Sequence, residues 1–76
     1  MTEVRFPMMT GDASAPGVLA TWYVRDGETV ADGQLLAEVA IDKVDAEVLA
    51  PGPGIVRLSV LEGAEVAQGA VIAHIE

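Results

Sequence analysis

The chain contains no cysteine, which excludes a disulfide framework and thiolate metal sites. Its one histidine, His74, leaves no basis for a histidine metal centre either. Aromatic residues are limited to one each of Trp, Tyr and Phe, so a core has to be built from Val, Leu, Ile and Ala. Basic side chains are scarce too: four against 12 acidic ones, for a net charge of −8. That balance argues against a nucleic-acid backbone or an anionic membrane as partner, and suits proteins with basic patches. No apolar run approaches the roughly 20 residues that span a bilayer, and the N-terminus lacks a basic segment followed by an apolar stretch. The expected setting is cytoplasmic, or the mitochondrial matrix in a eukaryote.

What is present is patterned. Seventy-six residues, 51% of them hydrophobic, make one small domain that buries only about 60% of its unfolded surface. Internal repetition is the strongest signal. "VRDGETVADGQLLAEV" from Val24 is echoed by "VLEGAEVAQGAVIAHI" from Val60. An offset of 36 superimposes Gly27 on Gly63, Val30 on Val66, Gly33 on Gly69, Ala37 on Ala73 and Asp26 on Glu62. The same offset sets Ala20, Trp22 and Val24 on Val56, Leu58 and Val60, alternate positions that share one face of a strand. Gly17-Val18 matches Gly54-Ile55 only at an offset of 37, a slip that a bulge in one strand would absorb. Further upstream "EVRFP" resembles "EVLAP".

Two halves of four short strands each, with Gly or Pro at nearly every connection, predict an all-β flattened barrel or sandwich. Strands are expected near 2–6, 17–25, 29–31, 35–41, 44–49, 54–61, 65–67 and 71–75. The half repeats span approximately 3–39 and 47–75 and are joined by a hairpin at 40–46, the whole forming a single domain over 1–76. If the halves are related by a pseudo-two-fold axis, the link from the fourth strand to the fifth is symmetric to the gap between the chain ends. That link is Asp42-Lys43, and it belongs at the pole opposite the termini.

Lys43 is the only lysine. Asp-Lys lacks the glycine or asparagine that two-residue hairpin loops favour, and suits a type I turn best. From local pattern alone the residue reads equally as an ordinary solvated charge, as a gatekeeper on an exposed hairpin, or as a functional group on display.

In register with the glycine repeat, however, "FPMM", "GVLATWYVRDGETVADGQLLAEV", "DKVDAEV", "APGPGIV" and "LEGAEVAQGAVIAHI" together resemble the lipoyl domains of 2-oxo acid dehydrogenase complexes, members of the biotinyl/lipoyl carrier family. The resemblance covers essentially the whole chain. It implies that Lys43 carries lipoic acid as an amide, with Ile41, Asp42 and Val44 forming the turn that the modifying enzyme reads. It implies as partners a lipoate ligase or lipoyl transferase, a thiamine-dependent 2-oxo acid decarboxylase, an acyltransferase catalytic domain and dihydrolipoyl dehydrogenase. No catalysis by the domain itself is implied, and neither nucleic acid nor membrane is an expected partner.

Two positions depart from the family pattern: Ala40 and Ile41 stand where many lipoyl domains have an acidic residue and then Ser or Thr. Biotin carriers place methionines on both sides of the lysine, whereas the neighbours here are Asp42 and Val44. A biotin carrier and an unmodified lipoyl-like adaptor are the alternatives. The segment from Met9 to Pro16 has no counterpart in the second half, and the resemblance gives its residues Thr10, Gly11, Asp12, Ala13 and Ser14 a part in partner choice. Trp22 is expected in the core, His74 on an outward strand position, and Asp26 and Glu62 in turns. Met8 and Met9 fit either a sticky surface or a pin for the end of the first strand. No residue is assigned a catalytic or metal-binding role.

Overall fold

A computed structural model describes residues 2–8, 15–42 and 44–76. Eight strands run through them: β1 (Thr2–Arg5), β2 (Pro16–Trp22), β3 (Thr29–Val30), β4 (Leu35–Ile41), β5 (Val44–Leu49), β6 (Gly54–Leu58), β7 (Glu65–Ala67) and β8 (Val71–Ile75). They form two four-stranded sheets, ordered β1-β8-β6-β3 and β5-β4-β2-β7. Exchanging β1 with β5, β2 with β6, β3 with β7 and β4 with β8 converts one order into the other, so the pseudo-two-fold axis is real. Each sheet takes two strands from each half, and neither half owns a sheet.

The symmetry extends to single residues. Thr2 pairs with Ile75, Glu3 with His74 and Val4 with Ala73; the matching rungs are Ala46 with Val39, Glu47 with Glu38 and Val48 with Ala37. Gly27 and Gly63 have φ of 87° and 86°, and Gly33 and Gly69 have 80° and 81°. Those left-handed turns need glycine because a Cβ would be strained there. In β4 the register shifts between Leu35 and Ala37, and Leu36 and Ala37 are both fully buried in succession. Ile72 and Ala73 repeat this in β8.

Two expectations need correction. The slip in the repeat is a bulge in β2 between Leu19 and Thr21. Leu19, which pairs with Val39, is therefore the partner of Val56, which pairs with Ile75. Ala20, matched to Val56 by sequence, is the exposed extra residue. Second, β2 and β6 end at Trp22 and Leu58 rather than near 25 and 61. After one further backbone bond, from Tyr23 N–H to the Leu36 carbonyl and from Ser59 N–H to that of Ile72, both segments leave their sheets. They turn to reach the opposite half: Gly27 N–H donates to the Val56 carbonyl and Gly63 N–H to that of Leu19.

Between the sheets lies one core, with Phe6, Leu19, Leu36, Ile41, Val56 and Ile72 among its most deeply buried side chains. Gly17 is part of this packing. A Cβ placed on it would run into the ring of Phe6, so the glycine leaves the space that the single phenylalanine fills.

Candidate functional site

The site is built from the β4–β5 hairpin. Its register runs from Leu35 opposite Leu49 to Ile41 opposite Val44, leaving Asp42 and Lys43 as the link between the arms. Lys43 lies outside the described residues, as do Thr10, Gly11, Asp12, Ala13 and Ser14. The residues that position the lysine are described. Ile41 is 1% exposed, while Val44 across from it is 54% exposed, so the core ends on that rung. The two-residue link therefore starts directly after a buried isoleucine, which gives it a rigid base. Ile41 thus fills a core position, which accounts physically for an apolar residue there.

Asp42 has φ of 52°, which contradicts the type I turn expected from Asp-Lys. A type I turn needs a negative φ at this position, whereas the primed turns, whose twist matches that of the strands, need a positive one. Aspartate is among the few non-glycine residues that adopt this conformation readily, because its short polar side chain can bond locally.

The rungs described above place the hairpin and the chain ends symmetrically. β1 and β8 meet at Thr2 and Ile75 as β5 and β4 meet at Ala46 and Val39. The tip and the termini are therefore symmetry-related poles, in a molecule measuring 32 × 19 × 17 Å.

Other singled-out residues have structural roles. Trp22 is half-buried against the core and its Nε1–H donates to the Val60 carbonyl at 3.1 Å. His74 is half-buried on an outward position, with Nδ1 3.5 Å from Ser59 Oγ. Met8 is exposed; Met9 lies outside the described residues. Asp26 and Glu62 do more than turn the chain. Leu58 N–H donates to Asp26 Oδ1 at 2.9 Å, and Trp22 N–H donates to Glu62 Oε1 at 2.9 Å. The two bonds are symmetry mates, each tying the end of a long strand to the other half. Self-comparison held the signal, since the offset of 36 pairs Asp26 with Glu62 and Trp22 with Leu58. A shallow groove lined by Trp22, Leu58, Val60 and Leu61 runs beside these carboxylates. Near it, Arg57 Nε donates to Glu76 Oε1 at 2.7 Å, which raises the arginine's pKa. On the hairpin sheet, Tyr23 Oη donates to Glu38 Oε2 at 2.9 Å. That bond, followed by burial and the charges of Glu38 and Glu47, raises the Tyr23 pKa above 10.0.

Comparison with known proteins agrees with this geometry. The biotin/lipoyl family model described as "Biotin-requiring enzyme" matches residues 2–75. The succinyltransferase component of the 2-oxoglutarate dehydrogenase complex of Rickettsia conorii is 38% identical over 66 residues, covering 86% of this chain and 17% of that protein. The acetyltransferase component of the pyruvate dehydrogenase complex of Corynebacterium glutamicum is 39% identical over 75 residues, 97% of this chain and 11% of that one. Acetyl-CoA carboxylase of Dictyostelium discoideum is 38% identical over 63 residues, 83% of this chain and 3% of that one. The chain thus spans less than a fifth of the length of these relatives. Among solved structures, the lipoyl domain of the 2-oxoglutarate dehydrogenase complex from Azotobacter vinelandii superimposes with a TM-score of 0.81 at 28% identity, over 100% of this chain and 96% of that one. By family model, by sequence relatives and by fold, the chain belongs to the biotinyl/lipoyl carrier family and has the fold of its lipoyl domains.

Proposed function

We propose that residues 1–76 act as one lipoyl carrier domain, in which Lys43 holds an amide-linked lipoyl group and presents it in turn to the enzymes of a 2-oxo acid dehydrogenase complex. The observation that carries this reading is the hairpin: the chain's one lysine follows a residue in the left-handed conformation, on a two-residue link whose arms are locked by the buried Ile41. A covalently held cofactor needs an amine on a rigid base rather than a cavity, and the buried Ile41 at the root of the link supplies such a base. The lipoyl group supplies a dithiolane that accepts an acyl group and two electrons. This chain, without a thiol, relies on the cofactor for that chemistry.

What the domain's own residues do is hold and position. A free lysine ammonium, with a pKa near 10.4, is a weak nucleophile at neutral pH, so the amide is made by a ligase or transferase. The Lys43 amine takes the place of the activating group on the lipoyl carboxyl carbon and releases a proton. Tethering then turns successive bimolecular transfers into nearly intramolecular ones, at effective concentrations of about millimolar for short links. The decarboxylase, the acyltransferase catalytic domain and dihydrolipoyl dehydrogenase would each act on the group that Lys43 holds. Catalysis resides in those partners. Thr10–Ser14 are assigned to selection by the decarboxylase. Shortening that segment is expected to slow reductive acylation while leaving modification of Lys43 unchanged, and undiminished acylation would remove the assignment.

The acetyl-CoA carboxylase similarity favours biotin as the second reading, against which stand Asp42 and Val44 beside the lysine. Incubation of the unmodified protein with lipoate ligase, lipoic acid and ATP, in parallel with biotin ligase, biotin and ATP, separates the two by intact mass. Lipoylation of the wild type and none of Lys43→Arg is expected. Biotinylation alone would replace the lipoyl reading, and lipoylation of Lys43→Arg would displace the attachment site.

A further inference from the structure

Strands β1–β4 make up the first half of the repeat and β5–β8 the second. Among the described residues, β2 with β4 and β6 with β8 are the pairings inside a half. The pairings of β1 with β8, β3 with β6, β4 with β5 and β2 with β7 each join one half to the other. A half therefore completes its sheets only against the opposite half, and nothing in these contacts requires both halves to come from one chain. What joins the halves covalently is the two-residue link Asp42-Lys43.

That link is short, and its first residue is bent unfavourably. Among the described residues, Asp42 is the one non-glycine residue with a positive φ, 52°. Aspartate tolerates that conformation better than most residues, but only glycine adopts it without steric penalty. Short hinges under strain favour the exchange of identical elements between copies of a chain. The register supplies a second reason. In β4 and β5, Val39 faces Ala46, Ala40 faces Asp45 and Ile41 faces Val44, and within one chain the rungs end there. Continued between two chains, the same register sets Asp42 opposite Lys43 of the second copy, and Lys43 opposite its Asp42. Opposite charges directly across an antiparallel ribbon attract.

We propose that Asp42 is a hinge through which two copies of this chain exchange halves. In the exchanged dimer β4 of each copy runs straight on through the link into β5, which pairs with β4 of the other copy. Each lobe is assembled from β1–β4 of one chain and β5–β8 of the other. The core keeps its packing, with the opposite half supplied by a different chain. Asp42 relaxes to an extended conformation, and two rungs of opposite charge form at the waist. The second copy thus contributes its Asp42 to the rung that holds Lys43, and the lysine lies between two lobes instead of at a tip. Opposing the exchange are the entropy of association and the net charge of −8 on each copy, so concentrated protein and added salt favour it. The proposal does not depend on what Lys43 carries.

Complementation between full-length chains tests it. Leu36 and Ile72 are symmetry mates, both 0% exposed, one in each half. Leu36→Asp and Ile72→Asp, each burying an unpaired carboxylate, are expected to stay unfolded when refolded separately. Refolded together from urea at high concentration and high salt, they can build one lobe from two intact halves. The mixture is expected to regain about half of the wild-type strand signal in circular dichroism, at the mass of a dimer. A mixture as unfolded as its components would overturn the proposal. Light scattering on concentrated, refolded samples reads the hinge separately, in two variants that both lack the charge. Asp42→Val, whose branched side chain is strained at positive φ, is expected to dimerise about tenfold more strongly than Asp42→Gly, which adopts that φ freely. Equal association constants, or no dimer from either variant, would overturn the proposal as well.

Discussion

Tyr23 offers a residue-scale test that a spectrometer can read, because it is the only tyrosine in the chain. Its hydroxyl is bonded to Glu38, and its pKa is raised above 10.0. Since the protonated form is the one the fold favours, the contact is fully present below the ordinary value. It is lost as pH rises through the folded one. Tyrosinate absorbance should therefore appear at higher pH in the folded domain than in urea. Glu38→Gln, which removes the charge, is expected to bring the midpoint back toward 10.0; an unchanged midpoint would show that the bond is not maintained in solution. Gly17→Ala probes the core. The added methyl meets the Phe6 ring, and overpacking of this kind costs about 1–3 kcal/mol. A lowered urea midpoint is expected, restored in part by Phe6→Leu in the same chain. At this scale the sequence was only half legible. Lys43 stood out by its register. The left-handed Asp42 and the space beside Gly17 are set by strand twist and by packing from distant segments, which local pattern does not encode.

Among the elements, β3, β4, β5, β7 and β8 lie where alternation and glycine placed them, because a half-buried strand shows its period directly. The ends of β2 and β6 were hidden. Apolar alternation continues through Val24 and Val60, yet both segments leave their sheets to cross to the other half, and that crossing is a tertiary event. The acidic ties mark it. Glu62→Ala removes the acceptor for the Trp22 N–H, and loss of a hydrogen bond to a charged group costs about 1.5–3 kcal/mol. Because Asp26 makes the symmetric bond to Leu58, Asp26→Ala should have a comparable effect on the denaturation midpoint. Losses that differ widely would mean that one junction carries the fold and the other merely copies its geometry. The bulge at Ala20 is a further case: self-comparison detected the extra residue, but its position had to come from strand pairing.

For the whole molecule, interleaving matters most. Since each sheet draws two strands from each half, segments 1–42 and 44–76 should each be unfolded alone, without a strand signature in circular dichroism. The intact chain should unfold in one transition by every probe. A folded half would contradict the sheet orders. The same arrangement has a mechanical consequence. β1 and β8 are antiparallel neighbours, and Thr2 and Ile75 form the rung at their free ends. A pull that separates the two ends of the chain therefore loads that rung alone, then the rung of Glu3 and His74, then that of Val4 and Ala73, as a zipper opens. Shear, which would load all the rungs together, is not the geometry presented. The domain should yield to tension at modest force from its terminal pole inward, with the β4–β5 hairpin at the far pole outside the first line of load.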